Sequence, residues 1–305
     1  MSRATAVVLG ALLVGCSCGE LTEPKPFVVA SPTSSLGSTQ PSTGWVSLAS
    51  RSWTLEPASD GYVCKRVSIS EDSWVTGFRA VVPEGSHHVV VTLSDAATTG
   101  DVDCARGNLE PRVLYAASPT TDALTLPDGV ALHLAAGQIL TVGVHAINLT
   151  NSALTGTTGV EAYVVPKTEG LAAAEVVLAG RRGFSVPAHA AGYTVEGGCI
   201  AASDHRVFAI SPVMHHLGSY QRAAVTHDGV ATVIRQGLFT FGEERVQRID
   251  PVAVLAGDRV DVSCSYDNLT DSAASYGAGP ADEACFAALM RYPATGGDPY
   301  DCVAQ

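Results

Sequence analysis

Basic residues are scarce in this chain and form no cluster. There are 18 Lys and Arg against 30 Asp and Glu, which gives a formal net charge of −12 at pH 7. No basic run is longer than a pair such as Arg181-Arg182. A nucleic-acid-binding protein needs a basic surface to offset the phosphate charges, so the sequence argues against a nucleic-acid partner.

Long helical patterns are also missing. Charged residues make up only 16% and aromatic residues 6% of the 305 residues, whereas Gly and Pro number 30 and 16. Short runs rich in Val, Thr and Ala, such as Trp74–Val82 and Gln138–Ala146, alternate with turn residues and predict strands. Residues 171–178 have helical propensity, but Gly170 and Gly180 flank them closely. The sequence therefore predicts an all-β protein, without a fixed-period repeat.

The chain has one apolar run of note near its start, Ala4–Gly15, which is too short to span a bilayer. It follows a positive Met-Ser-Arg start and ends in Leu13-Val14-Gly15-Cys16, which resembles the lipobox of bacterial lipoproteins. That resemblance implies a signal peptide over residues 1–15, lipidation of Cys16 and a location in the bacterial cell envelope. The alternative is an ordinary secreted protein that is cut nearby. Residues 16–44, rich in Pro, Ser, Thr and Gly, predict a flexible tether, so only the lipid would contact a membrane.

Six of the eight cysteines lie beyond this leader. An even number in an exported chain predicts three disulfides, and spacing alone leaves fifteen pairings open. None forms a CxxC motif, which argues against a zinc ribbon or a thioredoxin-like site. The six are Cys64, Cys104, Cys199, Cys264, Cys285 and Cys302.

Familiar catalytic fingerprints are absent as well. The sequence contains no Gly-x-Ser-x-Gly, P-loop, His-Glu-x-x-His or dinucleotide-binding motif. Two Asn-Leu-Thr triplets, at 148–150 and 268–270, have the spelling of glycosylation sites, which carries no weight in a bacterial lipoprotein. Four scattered histidines are interpreted as solvated or hydrogen-bonded rather than as ligands: His133, His189, His205 and His227.

What the sequence does contain is a histidine pair, His87-His88, at the start of a Val-rich strand. Burying an imidazole without a partner costs about 1–3 kcal/mol, and a metal ion can meet that cost. Adjacent strand residues point to opposite faces, so a shared metal requires a bulge, which Gly85 permits. The alternative is a solvated strand end.

A third histidine, His145, lies on a strand face with Thr141 and Gly143, whose small size predicts room beside its ring. Three imidazoles together suit Cu, Zn or Fe rather than Ca or Mg. The three histidines therefore predict a metal site.

Several stretches then resemble, in order and spacing, the copper type II, ascorbate-dependent monooxygenases, the family of dopamine β-hydroxylase and peptidylglycine α-hydroxylating monooxygenase. The resemblance extends from about Trp45 to Cys302. Its landmarks are His87-His88, Leu132–Gly137, His145 with Asn148, Gly159–Tyr163, Gly198-Cys199, Met214–Gly218, Ala256–Asp258, Cys264–Asn268 and Asp282–Cys285.

The resemblance implies two jelly-roll-like antiparallel β-sandwich domains in tandem, over residues 45–166 and 167–305, each with one copper on a shared cleft. His87, His88 and His145 match the electron-delivering copper. The reductant would be ascorbate, and an unidentified small molecule or peptide would bind in the cleft. The family pattern also pairs Cys64 with Cys104, Cys199 with Cys302, and Cys264 with Cys285.

The match fails at the second copper, which binds O2 in this family. Its His-x-His and Met ligands correspond here to Val213, His215 and Ala284. Met214 and His216 lie next door, but strand alternation predicts that they point away. We therefore expect a copper-binding lipoprotein with one complete site and a degenerate second one. The alternatives are an active copper monooxygenase that hydroxylates an aliphatic C–H bond, and a metal-free ligand-binding or structural lipoprotein.

Overall fold

The computed structural model describes residues 43–104, 107–168, 170–242, 245–279 and 281–305. The predicted signal peptide, Cys16 and nearly all of the predicted tether lie outside these residues. Within them the chain forms strands and no helix, so the prediction of an all-β fold is confirmed. Residues 171–178 belong to a strand rather than a helix. No helix in the described ranges has the length and hydropathy of a membrane span.

The first half contains ten strands: β1 (Gly44–Leu55), β2 (Ser59–Ser68), β3 (Ser73–Val81), β4 (Ser86–Ser94), β5 (Gly100–Val102), β6 (Val113–Ala117), β7 (Leu124–Thr125), β8 (Val130–Leu134), β9 (Ile139–Asn148) and β10 (Leu154–Val165). The second half contains the rest: β11 (Ala172–Arg181), β12 (Ser185–Val186), β13 (Ala190–Ile200), β14 (His205–Val213), β15 (Gly218–His227), β16 (Val230–Leu238), β17 (Gln247–Val254), β18 (Arg259–Asn268), β19 (Ala274–Ser275), β20 (Cys285–Tyr292) and β21 (Cys302–Ala304).

The two halves repeat one sheet plan. In the first half, strands in the order β1-β10-β3-β8 face a second sheet in the order β5-β2-β9-β4-β6. In the second half, β11-β20-β14-β17 face β13-β18-β15-β16. Parallel pairing of β8 with β11 joins the two larger sheets into one, and β21 also pairs with β11 in parallel. The other strand pairs are antiparallel, as expected for sandwiches.

The two Asn-Leu-Thr triplets mark equivalent loops of this repeat. Asn148 and Asn268 are fully buried, each at the end of the corresponding strand, β9 or β18. Each amide donates to three backbone carbonyls, so both asparagines are structural. The acceptors are Leu55, Glu56 and Ser152 for Asn148, and Val186, Pro187 and Ser272 for Asn268.

The larger sheet of the second half is buried on both faces. Along β20, Phe286 and Met290 belong to the core that fills the first sandwich, whereas Ala287 and Leu289 belong to the core of the second. The first core therefore continues across the second half's sheet. The described residues form one compact unit, and division into separate domains at residue 166 stays a prediction.

Three disulfides join strands or loops within the halves. They link Cys64 to Cys104, Cys199 to Cys302, and Cys264 to Cys285. This is the pairing implied by the family resemblance, and it includes every cysteine among the described residues. The Cys199–Cys302 bond attaches the end of the chain to β13.

Candidate metal centre

Strand β4 bulges at His87. Ser86 pairs with Ala146 on β9, and His88 pairs with the adjacent residue, His145. His87 is the extra residue of a β-bulge, which re-aims side chains and interrupts strict alternation. The bulge allows two neighbouring histidines to approach the same point, as the sequence predicts.

Gly85 supplies the backbone conformation just before this bulge. Its φ of +84° lies in the region that favours glycine. A Cβ here would lie 2.5 Å from Leu154 and 2.8 Å from the Trp53 ring. The Gly85 carbonyl accepts the N–H of Ile147 at 2.7 Å, which anchors the bend to β9.

The three histidines converge. His87, His88 and His145 each offer a ring nitrogen, and these three atoms lie within 4.8 Å of one another. The Nδ1 atoms of His87 and His88 are 3.4 Å apart. The Nδ1 of His145 is buried and has no hydrogen-bond partner. Among the described residues this is the one cluster of three or more His, Cys, Asp or Glu side chains that could hold a metal ion.

The rings of His145 and His88 have further partners in the protein. The Nε2 of His145 lies 3.2 Å from a carboxylate oxygen of Asp60, and Tyr62 stacks on the same ring at 4.2 Å between centroids. The His88 ring donates to the carbonyl of Gly242, from the second half. Such partners leave one nitrogen of the His145 ring and one of the His88 ring for a metal ion.

The space beside His145 is filled rather than open, contrary to the sequence expectation. Asn108 lies against Gly143, where a Cβ would come within 2.5 Å of it, and Tyr62 covers the imidazole. The small residues of β9 thus accommodate protein side chains. Neither Asn108 nor Tyr62 has a pattern in the sequence that would have identified it.

The site favours uncharged imidazoles. Burial, followed by the charges of His145 and His87, lowers the pKa of His88 to about 3. Burial also lowers the pKa of His145, against the raising effect of Asp60. A neutral imidazole is the form that binds metals, so these two rings need lose no proton to a metal at neutral pH.

The equivalent position of the second half has the bulge without the histidines. Between β15 and β18, Gly218 pairs with Tyr266 and Tyr220 with Ser265, so Ser219 is the extra residue. His145 lies three residues before Asn148, and Ser265 lies three residues before Asn268, so these two positions are equivalent. Strand pairing then makes Tyr220 equivalent to His88, and Ser219 equivalent to His87. The bulge is therefore common to both sandwiches, whereas the ligand set occurs in one.

The degenerate second site has one nitrogen donor. Val213 is the last residue of β14, and His215 follows it in the turn before β15 rather than on the strand. Val213 and Ala284 are both buried in the first core. The Nδ1 of His215 donates to the carbonyl of Asp282 at 2.8 Å, and its Nε2 is buried without a partner. Met214 packs in the second core and Val213 in the first, but both also line the small cavity that His215 borders, so strand alternation does not separate them as the sequence predicts.

Glu283 is a buried acidic residue that no motif in the sequence indicates. It is 1% exposed, and its two carboxylate oxygens accept the backbone N–H groups of His215 at 3.0 Å and Leu217 at 2.7 Å. Burial raises the pKa of Glu283 to about 7, against these hydrogen bonds. Its role is to hold the turn between β14 and β15. The sequence signal was only an acidic residue before Ala284-Cys285.

The four scattered histidines have partners of their own. His133 stacks on Trp74, and the Nδ1 of His205 donates to the carbonyl of Ser203. His189 and His227 lie beside the carboxylates of Asp271 and Asp258. The interpretation of these histidines as hydrogen-bonded or solvated agrees with these contacts.

The two sites border one small cavity between the halves. Its walls include His88 from the first half and Val213, His215 and Phe241 from the second, and its volume is about 30 Å³. A cavity of this size holds about a water molecule. The Phe241 ring lies 4.0 Å from that of His216 and 6.4 Å from that of Tyr62, between ring centroids.

No protein-family model matches the chain, and no curated protein matches it. Among solved structures, the major capsid protein P2 of bacteriophage PM2 is similar at 11% identity and a TM-score of 0.30, with 81% of this chain and 100% of that one covered. A structure of infectious bursal disease virus, Gx strain, is similar at 11% identity and a TM-score of 0.20, with 86% and 75% covered. Similarities this distant carry no argument about function.

Proposed function

We propose that this chain is a copper-binding lipoprotein that holds one copper ion through His87, His88 and His145 and serves in electron transfer rather than hydroxylation. The observation that carries the proposal is the convergence of three ring nitrogens within 4.8 Å of one another. Copper also agrees with the resemblance of the sequence to the copper type II, ascorbate-dependent monooxygenases.

The residues present fit copper. The His145 Nδ1 is a buried nitrogen without a partner, which is costly unless something binds it. An all-imidazole donor set suits Cu, Zn or Fe, and among divalent first-row metals the affinity order favours copper. The set contains no carboxylate among its donors, which argues against Ca and Mg.

Copper held by three imidazoles would supply one-electron transfer, since it cycles between two oxidation states. The chain's own residues hold and orient the ligands. Asp60 and the Gly242 carbonyl fix two of the rings, and Tyr62 covers one face of His145. Burial of His88 and His145 keeps bulk water from much of the site.

Hydroxylation is the weaker candidate. Of the three positions that match the family's second copper, only His215 has a metal-binding side chain, because Val213 and Ala284 offer none. The loss of a single residue that merely supports a ligand typically costs 10–100-fold in metal affinity. Two missing ligands should therefore leave the second position without copper under ordinary conditions.

The decisive experiment is copper stoichiometry in paired variants. Protein stripped with a chelator and reloaded with copper should contain one copper per chain. We expect His145→Ala to lose this copper and His215→Ala to retain it, because only His145 belongs to the complete cluster. Elemental analysis, with electron paramagnetic resonance of the Cu(II) form, measures both the amount and the nitrogen ligation.

Each competing function predicts a different result of this experiment. Two copper ions per chain, together with ascorbate-dependent O2 consumption and an oxygenated product, would establish the hydroxylase. No copper in the wild-type protein would point to a metal-free surface protein. Equal losses in the two variants would also contradict the proposal. Radiolabelled palmitate incorporated at Cys16, and lost in Cys16→Ser, tests the lipid anchor.

A further inference from the structure

We propose that Asp60 is the positioning residue of the three-histidine site: its carboxylate holds the His145 ring with Nδ1 turned toward His87 and His88. This rests on the proposed copper site. The Asp60 Oδ2 lies 3.2 Å from the His145 Nε2. The other nitrogen of the ring, Nδ1, is the buried one without a partner.

Strand pairing places Asp60 where it can act on this ring. On β2, Tyr62 lies directly opposite His145 of β9, and Asp60 is two residues earlier. Alternate strand residues share a face, so the carboxylate and the phenol ring approach the imidazole from the same strand. Tyr62 stacks on the plane of the ring, and Asp60 meets its edge.

The chemistry selects one tautomer. A neutral imidazole has a single N–H, and an ionised carboxylate can only accept. The hydrogen bond to Asp60 therefore keeps the proton on Nε2 and leaves the lone pair on Nδ1. A carboxylate in this position also makes the ligating nitrogen more basic. Removal of Asp60 should weaken metal binding even though Asp60 would not touch the metal.

The second half shows that this arrangement is not a requirement of the fold. There Thr194 lies opposite Ser265, the residue equivalent to His145, and Gly192 lies two residues before Thr194. Neither residue offers a carboxylate or an aromatic ring. The acidic and aromatic partners therefore occur only in the half that carries the histidines.

The test compares Asp60→Ala, Asp60→Asn and Asp271→Ala as full-length chains. Asp271 is a matched control because its carboxylate lies 3.2 Å from the Nε2 of His189, away from the site. Copper affinity is measured by competition with a chelator, the Cu(II) ligand field by electron paramagnetic resonance, and the melting temperature on metal-free protein.

We expect Asp60→Ala to bind copper about 10–100-fold more weakly than the wild type, with an altered spectrum. Asp60→Asn should recover part of this affinity, since an amide oxygen still accepts the Nε2 proton. Asp271→Ala should match the wild type. The metal-free melting temperature should be the same in all four proteins, because the Asp60 side chain is 66% exposed.

Several results would overturn the assignment. Asp60→Ala with wild-type affinity and spectrum means that Asp60 does not orient the ligand, although the copper site stands. A metal-free melting temperature that falls in parallel with affinity assigns Asp60 a structural role. A wild-type chain that binds no copper removes the proposed function itself, and this inference with it.

Discussion

Glu283 combines a buried carboxyl group with two backbone hydrogen bonds, and its ionisation is therefore coupled to stability near neutral pH. Burial raises its pKa to about 7 in the folded protein. An unfolded chain releases the same proton near pH 4.5. Between these values the folded state carries a proton that the unfolded state has lost, so stability falls as pH rises through this window.

We therefore predict that Glu283→Gln changes the pH dependence of unfolding. The free energy of unfolding of the wild type, minus that of Glu283→Gln, should fall by about 3 kcal/mol between pH 4.5 and pH 7.5. Urea unfolding at several pH values measures it. The Gln side chain also places its NH2 group against one of the two backbone N–H groups. This changes the free energy of unfolding of the variant by an amount that does not depend on pH. Parallel curves for the two proteins would contradict the prediction.

At the scale of single residues, the sequence indicates the three candidate metal ligands but not the residues that contact them. His87, His88 and His145 could be chosen because imidazoles in apolar strands are unusual. Asp60 could not, since it lies 85 positions from His145 and an exposed acidic residue is ordinary. Gly242 acts through its carbonyl, which every residue possesses. Such contacts depend on which strands pair, and a residue pattern does not contain that information.

At the scale of elements, the bulge in β4 is the feature that makes a shared metal possible. It depends on Gly85, whose conformation and surroundings both exclude a side chain. The sequence predicted this bulge from a glycine next to two adjacent histidines. It did not predict that the bulge has a counterpart at Ser219, because the two halves share little sequence apart from the Asn-Leu-Thr loops.

We predict that Gly85→Ala destabilises the fold and, at the proposed copper site, weakens metal binding as well. A left-handed backbone costs about 1–2 kcal/mol for alanine, and crowding against Trp53 and Leu154 adds about 1–3 kcal/mol. Copper affinity should fall at least tenfold as the bend relaxes. Denaturant unfolding and chelator competition measure the two effects.

Gly129→Ala provides the control for this substitution. Gly129 also has a positive φ, +74°, but a Cβ there would meet no atom within 4 Å. Gly129→Ala should therefore lose only the stability that a left-handed backbone costs an alanine. Its copper affinity should equal that of the wild-type chain. Equal loss of affinity in Gly85→Ala and Gly129→Ala would mean that general destabilisation, not the bulge, accounts for the effect.

At the scale of the whole molecule, the two halves share an interior. The first core extends from the first sandwich onto the outer face of the second half's large sheet, which includes Phe286. The continuous apolar run Val207–Ile210 on the same sheet is typical of a strand buried on both sides. From the sequence we predicted two sandwiches, but alternation alone cannot show that a sheet of one packs on a sheet of the other.

This shared core predicts that the halves unfold together. All three tryptophans, Trp45, Trp53 and Trp74, lie in the first half, so their fluorescence reports on that half alone. Phe286→Ala in the second half should destabilise the protein by about 3–5 kcal/mol. The tryptophan transition in denaturant should shift by as much as the far-UV circular dichroism transition. If the midpoint of the tryptophan fluorescence transition stays unchanged while the circular dichroism curve splits into two transitions, the two halves unfold independently.

Because β15 bulges at Ser219 as β4 does at His87, the second sandwich has the backbone arrangement of the histidine site without its histidines. Grafting imidazoles onto Ser219, Tyr220 and Ser265 would copy the ligand set onto a backbone that is already bent for it. The copy would lack the neighbours of the original, since Gly192 and Thr194 stand where Asp60 and Tyr62 would be needed. The difference in affinity between graft and original would then measure, within one molecule, what those neighbours contribute.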